Sequence, residues 1–340
     1  MSRVVISGSA GFIGGYVVEE LLRRGNHVIG IDNYSKYGNV ARSYEDHPSY
    51  SFIEGDASDV DLMASLVSDS DHFIAGAARI GGIAYFHEYA YDLLAENERL
   101  TAAACDAAIS AFKAGKLQKV TYLSSSMVFE STDRWPSKEG DERQIPPPMS
   151  SYGFQKLAVE YFARAAYDQH GLPFTIVRPF NCVGIGEARA LGDKEVLSGN
   201  VKLAMSHVVP DLIQKIAKGQ DPLHILGDGE QVRHYTYGGD LAEGVVTAME
   251  HPAALNEDFN LSTSQSTTVL ELAEVIWKRL KGETPFRYVS DPPFNHDVRK
   301  RIPSVEKAKT LLGFKATTSL ARMLDIVIPW VEEAVKNGRI

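Results

Sequence analysis

Six short runs dominated by apolar residues recur through the first half of the chain: RVVIS (3–7), HVIGID (27–32), SFIEGD (51–56), HFIAGAA (72–78), KVTYLSS (119–125) and FTIVRPF (174–180). Near-continuous apolar runs of this length are what parallel strands need when both faces of their sheet are covered. Helix-like segments lie between them, and strands alternating with helices predict a doubly wound α/β sheet. GFIGGYVVEELLRRG (11–25) shows the intervening pattern, with two arginines in its last turn and Gly25 as a stop. After Phe180 the rhythm changes. Residues 182–205 are Gly-rich and weakly periodic and read as a long functional loop, followed by helical patterns at about 208–218, 240–250, 269–281 and 320–336. The expected organisation is a first domain over 1–180 with a return around 234–262, and a smaller mixed α/β domain from 181–233 and 263–340.

Composition narrows the class of partner. A length of 340 residues suits about two domains and a large core. The net charge of −9 argues against general affinity for nucleic acid or an anionic membrane, while leaving room for an anionic small molecule held by a few arginines. Cys105 and Cys182 fit neither a metal-ligand nor a disulfide spacing, which points to a reducing compartment and no metal. No apolar run is long enough to span a bilayer, and MSRVVIS enters a strand without room for a signal peptide. A cytoplasmic location is the expectation.

The turn after the first strand carries chemistry. VVISGSAGFIGG places Gly8, Gly11 and Gly14 between strand and helix, where glycine permits a tight turn, close backbone approach to a pyrophosphate and close helix–strand packing. Such a pattern alone also suits a plain structural turn. Here Asp32 ends the next strand, where a carboxylate accepts hydrogen bonds from an adenosine ribose and repels a 2′-phosphate. NAD is therefore favoured over NADP, with Asp56 in EGDASD expected near the adenine.

SSYGFQK (150–156) puts Tyr152 and Lys156 four residues apart, on one face if a helix starts there. An ammonium near a phenol favours phenolate, which makes Tyr152 a general base toward a sugar or alcohol hydroxyl. A chance pair on an amphipathic helix is the alternative for an isolated match. The preceding glycine loop and the serines of SSSMVFE (124–130) weigh against it.

Taken in order, SGSAGFIGG, Asp32 in IDNYS, EGDASD, FIAGAA, Asn97 in LLAENERLTAA, SSSMVF, Tyr152 to Lys156, RPFNCVG, GDGEQVRHYTYGGD, FNLSTSQSTTVLELAEVI and KAKTLLGF resemble the extended short-chain dehydrogenases, specifically the nucleotide-sugar epimerases and dehydratases. The resemblance covers nearly the whole chain and implies a Rossmann-type sheet with a smaller C-terminal substrate domain. It implies that Gly8, Gly11, Phe12, Ile13, Gly14, Asp32, Asn33, Asp56, Ala57, Ala77, Ala78, Asn97 and Pro179 hold NAD, together with Tyr152 and Lys156. Tyr152 becomes the base, Lys156 the group that holds the nicotinamide ribose and tunes the phenol, and Ser125, counted back from Val128-Phe129, the serine on the reacting hydroxyl. Gly82, Ser126, Met127, Asn181, Arg233 and Arg301 are expected to line the nucleotide sugar, with Arg299 the alternative to Arg301. A homodimer built from helices around 91–111 and 151–168 is also implied, although the apolar face of SYGFQKLAVEYFARAAY suits packing on the sheet equally.

Within such a family the common first step is oxidation at C4, and the fate of the ketone distinguishes the reactions. Dehydratases resemble Thr-Asp-Glu where this chain has Ser125, Ser126 and Met127, so elimination lacks its acid pair. The glutamate usual in UDP-glucuronate decarboxylases is absent. Enzymes that invert C3 and C5 carry a cysteine where Met127 stands, and a thioether exchanges no proton. The simplest remaining reaction is 4-epimerisation of a GDP- or UDP-hexose. Two features keep others open. AARIGGIAY (77–85) resembles a stretch of GDP-fucose synthase and leans toward GDP-sugars, and SHVVPDLI places His207 where that enzyme has an active-site histidine. His207 is thus either an acid–base group for a 3- or 5-epimerase or a polar residue at a helix start. Cys182 either approaches the site or is a small buried residue. A decarboxylase or synthase on the same ketone, and a non-catalytic dinucleotide sensor, complete the alternatives.

Overall fold

The computed structural model describes residues 1–80, 89–187, 196–203, 207–293 and 298–340. Among these, seven strands form one sheet: β1 (Arg3–Ser7), β2 (His27–Asp32), β3 (Tyr50–Glu54), β4 (His72–Ala75), β5 (Lys119–Leu123), β6 (Phe174–Pro179) and a last strand at Glu257–Leu261. Each pairs in parallel with its neighbours in the order β3-β2-β1-β4-β5-β6 and then Glu257–Leu261. Helix α1 (Phe12–Arg23) and the Gly238–Glu250 helix cover one face. Helix α2 (Val60–Val67) and the long Ala90–Lys113 and Ser151–His170 helices cover the other. Covering on both sides is why Val4, Val5 and Ile6 of β1 are fully buried, and it explains the absence of polar alternation in the strand sequences. The chain crosses from one side of β1 to the other between β3 and β4. Successive loops therefore diverge at the carboxyl ends of β1 and β4 and open a crevice there.

A second core forms among the Val208–Ala217, Val269–Lys281 and Leu320–Lys336 helices and the paired strands Leu223–Leu226 and Tyr288–Asp291. The described residues within 182–205 differ from the expected loop. Cys182–Val183 pairs in parallel with Thr236–Tyr237, and Val196–Ser198 forms a hairpin with Val201–Leu203. The hairpin turns on Gly199 at φ +59 with Asn200, a two-residue connection that favours glycine because the backbone is left-handed there. That signal is local and short, so the surrounding glycines hide it. Among the described residues no helix is long and apolar enough to cross a membrane.

Candidate active site

The crevice beside β1 is shaped by the absence of side chains. A Cβ on Gly14 would lie 2.0 Å from the Gly8 carbonyl oxygen, so only glycine lets α1 seat directly on the turn. Gly8 itself has φ +78, and a Cβ there would meet the Ala77 nitrogen at 2.9 Å. Gly11 is the N-cap of α1 and offers no side-chain cap, leaving the helix start open toward an anion. Phe12 contributes backbone there, since its ring is buried against Tyr16 with centroids 5.8 Å apart; Ile13 is partly buried. Asp32 is fixed at the end of β2, accepting from Ala10 N at 3.1 Å and Tyr34 N at 2.9 Å. Burial raises its pKa, against these N–H groups and the nearby Arg42 charge, which lower it. Ala57 and Ala77 line the crevice with Lys156, and Ala78 and Pro179 are partly buried close by in sequence. Asn33 and Asp56 are exposed, their side chains accepting from Ser35 N and Ser58 N. A cradle that any Cβ would fill, with a carboxylate fixed at its rim, fits a dinucleotide.

Asn97 is engaged by the segment after β4. It is 1% exposed, and its amide accepts from Arg79 N at 2.7 Å and donates to Arg79 O at 3.0 Å. One bond to each end of the amide fixes its orientation and shapes the segment after β4, with one N–H and one lone pair remaining. Ser7 and Arg42 escaped the sequence reading. Ser7 Oγ accepts from Gly76 N and Ala77 N at 3.2 Å each and so ties the end of β1 to that of β4. Arg42 donates to Ala10 O at 2.5 Å from a stretch with no period to mark it.

The Ser151–His170 helix delivers Tyr152 and Lys156. Its N-cap Ser150 accepts from Gly153 N at 3.0 Å, and Glu130 in turn accepts from Ser150 N at 2.9 Å and Ser150 Oγ at 2.8 Å. A Cβ on Gly153 would meet the Met127 carbonyl oxygen at 2.9 Å and Pro148 Cβ at 2.6 Å. That close approach brings the helix start onto the turn after β5. Gly153→Ala is expected to cost about 1–3 kcal/mol in urea unfolding and to lower kcat together with stability, since the helix start must back away from that turn.

The three serines then separate. Ser124 Oγ donates to Glu160 at 2.6 Å. Ser125 accepts from Met127 N at 3.2 Å and hydrogen-bonds the Tyr152 phenol. Ser126 and Met127 are buried in the turn itself. Burial raises the Tyr152 pKa, while the Ser125 hydrogen bond and the Arg301 charge lower it. The expected tuning by Lys156 is not what this geometry shows. Lys156 Nζ donates to Leu123 O at 2.9 Å, and burial lowers its pKa to about 8.

Arg233 and Arg301 converge from two segments. Val232 N donates to Arg299 O at 2.9 Å and Arg301 N to Val232 O at 3.1 Å, which sets the two arginine side chains on adjoining backbone. Arg301 acts electrostatically on Tyr152 and Tyr235, whereas Arg299 is exposed and paired to Asp228 at 2.8 Å. Asn181 sits at φ +40, a left-handed conformation that asparagine tolerates, with its amide toward His234 O at 3.4 Å. His207 caps the Val208–Ala217 helix by position only, and its ring pairs with the buried carboxylate of Glu187. Glu187 gave no sequence signal because it lies in the irregular stretch. Cys182 is buried, and burial followed by the Glu187 charge pushes its thiol up, which favours the small-residue reading. Gly82 lies outside the described residues.

Comparison with known proteins agrees with this geometry. The model of the NAD dependent epimerase/dehydratase family matches residues 4–262. A UDP-glucose 4-epimerase of Lactobacillus helveticus is 26% identical, with 92% of each chain covered. A UDP-N-acetyl-alpha-D-glucosaminuronate decarboxylase of Bacillus cytotoxicus is 29% identical, covering 97% of this chain and 98% of the other. The crystal structure of UDP-glucose 4-epimerase with UDP-glucose from Thermotoga maritima superposes with a TM-score of 0.80 at 27% identity, covering 98% of this chain and 99% of that one.

Proposed function

The chain belongs to the NAD dependent epimerase/dehydratase family and is an NAD-dependent nucleotide-sugar epimerase, and we propose that it inverts C4 of a UDP-hexose through a transient 4-keto sugar. The observation that carries this reading is the Ser125–Tyr152 pair, borne by the same chain segments that send Leu123 and Lys156 into the crevice, and followed by two residues, Ser126 and Met127, that are poor proton carriers. Tyr152 takes the proton of the C4 hydroxyl while Ser125 orients that oxygen. NAD, when bound, supplies the acceptor and donor of hydride. Tyr152 then returns the proton to the same oxygen after the ketone has presented its other face. Arg233 and Arg301 hold the diphosphate, and Asn181 meets the sugar end. UDP is preferred to GDP because relatives that align along most of the chain, among them the UDP-glucose 4-epimerase and the UDP-N-acetyl-alpha-D-glucosaminuronate decarboxylase, are UDP-sugar enzymes.

Incubation in heavy water with UDP- and GDP-hexoses, followed by NMR, tests the reaction. The expected product is inverted at C4 with no deuterium on carbon. Deuterium at C3 or C5 would overturn it and favour the second reading, in which the His207–Glu187 pair exchanges protons at carbon. Arg301→Met is expected to raise KM for the nucleotide sugar about ten- to a hundredfold. Removing the positive charge disfavours phenolate, so the rising limb of the pH–kcat profile should move to higher pH. Arg299→Met, already turned outward to Asp228, should change neither.

Phe154 and Tyr161, seven residues apart on one helix face, are exposed, as is Tyr91 on the neighbouring helix. This apolar face supports a homodimer formed by a second copy. Sedimentation of Tyr161→Glu should show monomer if that reading holds. Free, buried Cys105 and Cys182 support a reducing, cytoplasmic setting.

A further inference from the structure

Behind the reacting pair lies a fully buried charge cluster that the proposed chemistry does not use. Arg178, at the end of β6, is completely enclosed. Its guanidinium donates to Glu160 at 2.7 and 2.6 Å and to Asp258 at 2.7 Å, and lies 3.2 Å from Glu142. Arg164 and Lys307 add positive charge at the edges, Arg164 within 3.2 Å of both Glu142 and Glu160 and Lys307 at 2.8 Å from Asp258. Three carboxylates so close together resemble a cation site, but the centre is already taken by the guanidinium.

The cluster reaches the site by two contacts. Glu160 stands one turn after Lys156 on the same helix, and its Oε1 accepts both from Arg178 Nε and from Ser124 Oγ, at 2.7 and 2.6 Å. The Arg178 guanidinium also stacks over the ring of Phe129, 5.3 Å from its centroid, in the turn that follows Ser125. We propose that Glu160 and Arg178 are positioning residues that, through Ser124 and Phe129, lock the strand end bearing Ser125 against the helix bearing Tyr152 and Lys156. The inference rests on the reading of Ser125 and Tyr152 as the reacting pair. A guanidinium fork and a carboxylate, each held by several bonds in a place without water to compete, fix a strand end far more rigidly than an apolar contact. One residue, Ser124, directly after β5, is the link, and its neighbour Ser125 makes the contact with the phenol.

The test uses Ser124→Ala, which leaves the charges paired and the fold intact. Its readout is the ultraviolet titration of Tyr152 in the holoprotein, taken as the difference from the same protein carrying Tyr152→Phe. The Ser124→Ala titration should move to higher pH, because a loosened Ser125 stabilises phenolate less. In turnover, kcat should fall about tenfold with KM unchanged. Ser124→Thr, which keeps the hydroxyl, should restore both, and Glu160→Gln, a weaker acceptor of the same shape, should shift the titration in the same direction as Ser124→Ala. A Ser124→Ala titration identical to the parent's overturns the proposal. The titration needs no turnover, so a parent protein that epimerises no nucleotide sugar would sink the reaction and still leave the positioning role decided.

Discussion

Tyr152→Phe is expected to lower kcat about a thousandfold while leaving KM for the nucleotide sugar within about twofold of the parent, since general-base catalysis contributes on that order and the phenol makes no diphosphate contact. The phenyl ring keeps the packing of the helix start, so the unfolding midpoint in urea should hardly move. The residual activity should also lose the parent's rising pH limb. That limb belongs to a group whose pKa is raised by burial and lowered by Ser125 and Arg301, and the variant has no proton there to lose. Steady-state kinetics across pH with a UDP-hexose provides the check. An unchanged kcat, with every other property of the protein intact, would move the chain to the class of dinucleotide sensors that keep the fold without its chemistry.

Arg178→Ala is expected to destabilise the protein by about 3–5 kcal/mol near neutral pH, because it removes the central cation and leaves Glu160, Glu142 and Asp258 in the interior with only Arg164 and Lys307 at the edges. The sign of its pH dependence follows from Asp258, whose pKa is held well below the ordinary carboxylate range by Arg178 and Lys307 despite burial. A carboxylate depressed in the folded state contributes stability above its unfolded pKa and loses it as pH falls through the folded value. The parent should therefore hold the full contribution only above the unfolded carboxylate pKa of about 4 and lose it progressively as pH falls below that, the last of it in strong acid. In the variant these under-compensated carboxylates take up protons more readily, so its deficit should be largest at neutral pH and shrink on acidification. Urea unfolding at several pH values measures both curves. A deficit of constant size would instead assign the loss to the packing of Arg178 on Phe129.

Fold and cofactor were legible in the sequence because they rest on local and repetitive features. Both-face burial forces continuous apolar strands, and a turn that admits no Cβ forces Gly8 and Gly14, so each leaves a mark within a few residues. The spacing of Tyr152 and Lys156 needs only a helix, and Ser150 begins one. Other parts were illegible for the same reason in reverse. Arg42 over the glycine turn and Glu187 against His207 join segments far apart in the chain, through contacts that have no period. The tie between Asn97 and the backbone of Arg79 likewise spans the chain from β4 to the next long helix and leaves no local mark.

The sequence by itself determined the parallel sheet, the dinucleotide turn and the identity of the phenol, since these follow from residue period, from glycine and from spacing along one helix. Only the tertiary structure decided what holds Ser124, how Arg178 and Glu160 meet behind it and that Glu187 pairs with His207. Hydrogen bonds and buried ion pairs depend on where side chains from β5, β6 and the Ser151–His170 helix meet, and the pairing of those elements is set by the packed sheet.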